Sequence, residues 1–405
     1  MSADAPHSEN GAATNAPRGQ LLAPINGLRG LAIAAVMAQH MLTGVFTPSA
    51  LTINISGVAV SALPLLTNGW TGVNLFFILS GFVLYLPLAS DNRPMETARE
   101  RLGFYYRRCR RLLPLFYIAV VATWLLAMAR GEPTGFGELL SVASFAYVFT
   151  PEHFGPSFNI ALWSIGVEVG FSLAFPLLIL WIRRWDVWRV ATAIAVLALT
   201  LRIAGIMRAP QLQGPSLNSD AVVCRIDEFV FGIALAWAYV RGMLPRRGGT
   251  FGILGAAVVA LAWIGFDRVL HGQVPPVARA GLNDLLDCGL IAIVIGALAP
   301  DGRLGAMLAW RPLQVMGMMC YSLYLWHWPL LQWLAPDRGA MPLPHLVASL
   351  AGFLAVTFAV SALTYRFVEF GRIRDWRGLF LLDPVRPSAA SGIAAVRPAY
   401  GSSDR

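Results

Sequence analysis

The stretch "GLRGLAIAAVMAQH", Gly27 to His40, decides how the chain is read. Between Arg29 and His40 the residues are almost all apolar, with a single Gln beside the histidine. A run of this kind suits lipid, yet it carries an arginine near one end and a histidine near the other. Ionisable side chains are costly inside a bilayer, so each one placed there is a functional hypothesis by default. If the segment is helical, the eleven-residue step makes about three turns and sets both side chains on one face, about 16 Å apart along the axis.

The rest of the chain supports a membrane reading. Of its 405 residues 57% are hydrophobic and only 13% charged, where a soluble domain carries about a quarter. About ten apolar segments are long enough to cross or nearly cross the hydrocarbon core: 25–46, 70–89, 112–129, 159–182, 190–207, 226–241, 250–266, 282–299, 314–335 and 345–367. The piece at 138–150 is too short to span and reads as re-entrant or as part of an outer loop. The expected fold is therefore all-α, a polytopic membrane helix bundle of about ten transmembrane helices. Residues 1–20 and 371–405 are polar and read as flexible tails around a membrane domain at 21–370. The first residues lack an apolar core and do not form a cleavable signal peptide.

Charge supplies the orientation. The net charge is +9 and every basic residue is arginine. The arginines gather at 90–111, then at Arg183, Arg184 and Arg189, at Arg241, Arg246 and Arg247, at Arg303 and Arg311, and from Arg366 onward, while 47–69 has none. This alternation follows the positive-inside rule and places both termini in the cytoplasm, as in a multi-pass protein of the cytoplasmic (inner) membrane. The basic balance is thus a topology signal, and no nucleic-acid partner is expected. The cysteines, Cys109, Cys224, Cys288 and Cys320, show no CxxC and no metal spacing. Most of them read as small buried hydrophobes, and no metal is expected.

Three polar groups fall at similar estimated depth. His40 lies about 9 Å below the outer end of its segment, Glu168 in "LWSIGVEVGF" about 12 Å, and His327 in "YSLYLWHWPLL" about 12 Å. Two imidazoles and a carboxylate at one level can form a general acid–base cluster. For any one of them alone, helix-to-helix hydrogen bonding is the simpler reading, and Glu168 could instead pair with Arg202 or Arg29. Near the cytoplasmic face, "RLGFYYRRCRRLLPLFY" sets Arg107, Arg108, Arg110 and Arg111 at the mouth of the third segment. Pairs three apart share a helix face and can fork around phosphate oxygens, although stop-transfer arginines facing anionic lipid look much the same. Ser80, next to Gly81, reads as a small residue permitting close helix packing. No Walker loop, HExxH or GxSxG is found.

Taken in order, "INGLRGLAIAAVMAQH", "GVNLFFILSGFVL", "YYRRCRRLLPLFY", "LWSIGVEVGFSLAFP", "RIDEFVFG" and "YSLYLWHWPL" resemble the acyltransferase-3 family of integral-membrane O-acyltransferases. The resemblance runs over residues 21–370. It implies transfer of an acyl group, usually acetyl from acetyl-CoA, to a hydroxyl of an extracytoplasmic acceptor. That acceptor is typically a surface or exported carbohydrate, in some branches a small natural product such as a macrolide. His40 resembles the family's essential histidine and Arg29 its paired arginine, while Arg107 to Arg111 correspond to the arginines implicated in holding the CoA end. Asn74 stands where many members have Asp, and Val169 and Gly170 replace an acidic residue and Gln. The ending "FVEFGR" also departs from the family pattern.

These readings combine into one expectation. The donor's phosphates rest on the four arginines and Arg29, and the pantetheine arm threads between helices to His40. His40 then acts as general base or is itself acetylated, with Glu168 or His327 orienting its imidazole. A proton-coupled exporter of glycans or lipids is the alternative of another class, and a non-catalytic partner of a polysaccharide assembly complex is a third. The sequence does not give the oligomeric state.

Overall fold

The computed structural model describes residues 18–43, 45, 52–55, 58–61, 68–90, 95–210, 214–300, 303–337 and 339–369. The expected C-terminal tail and nearly all of the N-terminal one lie outside the described residues. Among the described residues, ten helices of 15 residues or more carry the fold. They are α1 (Arg18–Leu42), α2 (Gly72–Ala89), α3 (Ala98–Ala129), α4 (Leu162–Trp185), α5 (Val187–Arg208), α6 (Val222–Val240), α7 (Gly249–Leu270), α8 (Ala278–Leu298), α9 (Cys320–Leu334) and α10 (Leu343–Thr364). A short antiparallel pair, Thr52–Ile55 with Val58–Ser61, is an addition to the all-α expectation and sits in the loop after α1. The piece expected not to span is an eight-residue helix, Phe136–Ala143, followed by Phe145 at φ 60° and a 3₁₀ turn.

Seven helices among the described residues are long and apolar enough to cross a membrane: α2, α3, α4, α5, α7, α8 and α10. The expectation of about ten is thus met only in part on these terms. α1, α6 and α9 fall short for different reasons. α9 has 15 residues, where about 20 span the core. α6 carries Arg225, Asp227 and Glu228 in one turn, and α1 carries Asn26, Arg29, Gln39 and His40.

Local chemistry sets where the helices begin and cross. α3 opens on a capping box, Thr97 accepting from the Glu100 amide while Glu100 reaches back to Thr97. The reversal from α4 to α5 is a single residue, Asp186, at φ 75°, whose carboxylate accepts from the Trp188 amide at 2.8 Å. α2 and α6 approach closely because glycines face backbone. A Cβ on Gly81 would sit 1.9 Å from the Phe229 carbonyl oxygen, and one on Gly232 would sit 1.9 Å from that of Ile78.

Side-chain pairings fix relative direction. Tyr105 donates to the Leu173 carbonyl at 2.9 Å and Arg108 pairs with Glu168, so α4 runs antiparallel to α3. Tyr321 donates to the Leu112 carbonyl at 2.9 Å, and Pro329 and Gln332 lie with Leu126 and Ala127, so α9 runs with α3. The outer faces are apolar: Leu173, Leu177, Leu180 and Trp181 form an exposed stripe on α4, as do Ile253, Leu254, Leu261 and Ile264 on α7. Stripes of this extent are stable against lipid and not against water.

Candidate functional site

The two histidines meet. His40 Nδ1 lies 3.0 Å from His327 Nε2, with the rings stacked at 5.1 Å between centroids and 8° between planes. Trp328 packs edge-on against His40 at 4.9 Å. His327 is fully buried, and its Nδ1 lies 2.7 Å from the carbonyl oxygen of Tyr324. A carbonyl only accepts, so the network assigns the Nδ1 proton of His327 to that bond. His327 Nε2 then carries a lone pair and accepts from His40 Nδ1–H. The basic lone pair of His40 is thereby placed on Nε2. A backbone carbonyl orients one imidazole, which orients the next.

Glu168 is not part of this pair. Its carboxylate pairs with Arg108, which also donates to Ser172 Oγ at 2.9 and 3.1 Å, while Ser172 donates to the Glu168 carbonyl at 2.8 Å. The shared-depth expectation for Glu168 is therefore corrected. α1 ends at Leu42, not near residue 46, so His40 sits within one turn of its helix end. Glu168 lies level with Arg108, one turn before Leu112, which meets the first turn of α9 at Tyr321, whereas His327 stands six residues further along α9. The other neighbours considered for it divide: Arg202 pairs elsewhere, and Arg29 is an electrostatic neighbour without being its hydrogen-bonded partner.

A cavity of about 810 Å³, open mouth included, lies on the far side of Tyr324 from the histidines. Arg29, Arg108, Arg111, Glu168, Cys320 and the phenols of Tyr321 and Tyr324 line it, with an apolar wall from α2 that includes Ser80. Ser80 thus faces the cavity, and the close helix contact is made by Gly81. Ser164 donates to Tyr324 Oη at 2.7 Å where the cavity ends. Arg107 and Arg110 are exposed and do not line it. The helical period explains the split: positions 108 and 111 face inward, positions 107 and 110 outward.

Three guanidiniums at this end share two carboxylates. Arg29 has Cys320, Glu369 and Glu168 around it, and Arg111 has Arg29, Glu369 and Arg108. Glu369 comes from the π-turn Tyr365–Glu369 that ends α10 and accepts from Ser322 Oγ at 3.0 Å. With one positive charge in excess, the cavity is built for an anion. Of the cysteines, Cys224 and Cys320 are buried, whereas Cys109 and Cys288 are exposed, contrary to the expectation that most would be buried.

A second buried cluster joins α2, α5, α6 and α8. Arg202 pairs with Asp227 and, at 2.5 Å, with Asp284. Arg225 pairs with Glu228 at 3.2 Å and donates to Asn283 and Asn74 at 2.8 and 2.9 Å. The Asn74 amide donates to Asp287 at 2.9 Å and to Glu228 at 3.2 Å. Asp227, Asp284 and Asp287 bring carboxylate oxygens within 4.8 Å of one another. The Arg202 guanidinium engages two of those three, the arrangement of an ion-pair cluster.

Sequence reasoning missed Tyr324, Ser164, Ser172, Trp328 and Glu369. For Tyr324 the signal was present, one helical turn before His327 in the same motif. Ser172 likewise stands one turn after Glu168. Glu369 stood in the quoted ending "FVEFGR", but nothing local ties it to the arginines, because its partners come from α1, α3 and α9.

Comparison with known proteins bears on this geometry. A family profile described as an acyltransferase domain matches residues 22–366. The peptidoglycan O-acetyltransferase OatA of Listeria monocytogenes is 25% identical over 365 residues, 85% of this chain and 54% of that protein. The putative peptidoglycan O-acetyltransferase YrhL of Bacillus subtilis is 25% identical over 379 residues, again 85% and 54%. The O-acetyltransferase OatA of Staphylococcus aureus is 24% identical over 327 residues, 75% and 52%. The chain spans about half the length of these curated relatives. No solved structure matches it significantly.

Proposed function

The chain belongs to the acyltransferase-3 family, and from that premise we propose that it is a membrane O-acetyltransferase moving acetyl from cytoplasmic acetyl-CoA to a hydroxyl of an extracytoplasmic cell-wall carbohydrate. The observation that carries this reading is the division of α1. Arg29 lines an anion-suited cavity at one end and His40 meets His327 at the other, about 16 Å along the helix. That separation compares with the reach of a pantetheine arm. The donor's phosphates rest on Arg29, Arg108 and Arg111, with Glu168 and Ser172 fixing Arg108 and Glu369 facing Arg29 and Arg111. The thioester passes Tyr324 and Ser164 to reach His40.

In the direct route, His40 Nε2 takes the proton of the acceptor hydroxyl as its oxygen attacks the thioester carbonyl. His327 accepts from His40 Nδ1–H and steadies the imidazolium that forms. The carbon–sulfur bond breaks, and the CoA thiolate takes up the proton from His40. In the covalent route, Nε2 attacks the thioester first and expels the CoA thiolate; the hydroxyl then attacks the acetyl-imidazolium, and the proton it loses passes by way of the freed Nε2 to the thiolate. The arginine distribution supports a ten-span topology in the cytoplasmic membrane with both termini inside, the cavity mouth facing the cytoplasm and His40 facing outward. In this arrangement α1, α6 and α9 are the spans whose polarity and length are spent on chemistry and helix pairing.

The test is transfer of labelled acetyl from acetyl-CoA in membranes carrying the wild-type chain or His40→Ala, with label followed into cell-wall carbohydrate. Labelling that requires His40 is expected. Equal labelling by both chains would overturn the role of His40. Absence of both labelling and acetyl-CoA binding would overturn the donor and return a proton-coupled exporter as the working explanation.

A further inference from the structure

A second cavity lies at the other end of the bundle, where α1 ends. About 600 Å³ of empty space, its mouth included, opens between the last turns of α3, the 155–160 segment and the second half of α9. Arg130, Glu132, Ser157, Gln332 and Trp328 are among its walls. Trp328 is also the ring that packs against His40 at 4.9 Å, so one indole is shared by this cavity and the histidine pair. The geometry points to this cavity as the docking site of the acceptor, a neutral hydroxyl-rich sugar, and the assignment rests on the acetyl-transfer reading above.

The chemistry of the lining selects that class of ligand. Arg130 and Glu132 form a partly exposed ion pair at 3.2 Å, presenting donors and acceptors side by side. Gln332 adds both an amide donor and a carbonyl acceptor, and Trp328 adds an aromatic surface. Sugar hydroxyls donate and accept at once, and the C–H faces of a pyranose ring are apolar enough to lie on an indole. An anionic ligand would meet the Glu132 carboxylate, and a lipid chain would offer nothing to the Gln332 amide.

The cavity is also preformed. Asn159, fully buried, donates to the Leu325 carbonyl at 3.0 Å and ties the 155–160 segment to α9. Ser157 donates to Glu138 through both its amide, at 2.6 Å, and its hydroxyl, at 2.8 Å. The wall is thus held from α9 on one side and from the Phe136–Ala143 helix on the other. The acceptor approaches His40 around the edge of Trp328, from the end opposite the arginine-lined cavity. Donor and acceptor therefore never compete for one entrance.

The test uses the full chain in lipid nanodiscs and N,N′-diacetylchitobiose, a neutral amino-sugar disaccharide, as the probe. Ser157→Cys and, separately, Ile160→Cys, each in a chain whose exposed Cys109 and Cys288 are replaced by serine, place a thiol in the cavity wall for reaction with a membrane-impermeant maleimide. The disaccharide is expected to slow that reaction at least about tenfold at saturation in a concentration-dependent way, and acetyl-CoA is not. In transfer assays, Gln332→Ala and Glu132→Gln are expected to raise the acceptor KM about tenfold without a matching rise in the acetyl-CoA KM. Failure of the disaccharide to protect either thiol overturns the assignment, as does an acceptor KM that neither substitution moves. Protection without transfer would retain the sugar site and count against the acetyl-transfer reading instead, which separates the two failures.

Discussion

His40 and His327 are 287 residues apart in the chain and 3.0 Å apart in space, and the tautomer of each follows from the carbonyl of Tyr324. Removing His327 leaves His40 without the acceptor that holds its Nδ1 proton in place. His327→Ala is therefore expected to lower kcat by about 10²-fold or more with little change in the acetyl-CoA KM, measured at saturating acceptor. An unchanged kcat would assign His327 to packing alone. Asn74 illustrates a different residue-level constraint. Its amide donates to two carboxylates while its oxygen accepts from Arg225, a combination no aspartate can supply. Asn74→Asp is expected to destabilise the fold by about 1–3 kcal/mol, read as a lower thermal unfolding midpoint in nanodiscs. A midpoint equal to that of wild type would contradict the pairing.

At the scale of elements, the first half of α3 sorts its arginines by helical face. Arg108→Ala and Arg111→Ala are expected to raise the acetyl-CoA KM about tenfold or more, since each removes a charge-assisted donor from the cavity. Arg107→Ala and Arg110→Ala, on the exposed face, are expected to change it less than about threefold. Equal effects at all four positions would assign the cluster to lipid contact. The α2–α6 crossing sets a second test: Gly232→Leu has no room beneath the Ile78 carbonyl and is expected to cost about 3 kcal/mol or more, measured as loss of folded protein after detergent extraction. Much of this layout was legible in the sequence. The eleven-residue step from Arg29 to His40, the apolar segments and the arginine run are local patterns, and local periodicity reports them directly. Glu168 was misplaced because its depth was counted from the end of its own segment, and helix ends do not lie in one plane: its partner Arg108 stands one turn before Leu112, which meets the first turn of α9 at Tyr321. The buried cluster was half visible as "RIDEFVFG", but Asn283, Asp284 and Asp287, which complete it, lie on α8 more than fifty residues away. Such pairings are tertiary and leave no spacing to read.

At the scale of the whole molecule, two cavities open at opposite ends of one bundle, with the histidine pair and Tyr324 between them. Among the described residues, length and hydropathy single out seven helices able to cross a membrane and pass over the three that carry Arg29 with His40, the Arg225 cluster and His327. The three long helices that fall short on hydropathy or length are the ones that hold these polar groups, as expected if they cross the membrane, where intramembrane charge is kept for function. In the proposed function the donor enters from one end of this bundle and the acceptor from the other. The most direct measurement adds labelled acetyl-CoA to sealed inside-out and right-side-out membrane vesicles carrying the wild-type chain or His40→Ala, with the disaccharide acceptor enclosed. Label is expected in the enclosed acceptor only with inside-out vesicles and only with His40 present. Transfer from right-side-out vesicles, or transfer that survives His40→Ala, would contradict the proposed path of the acetyl group through the bundle.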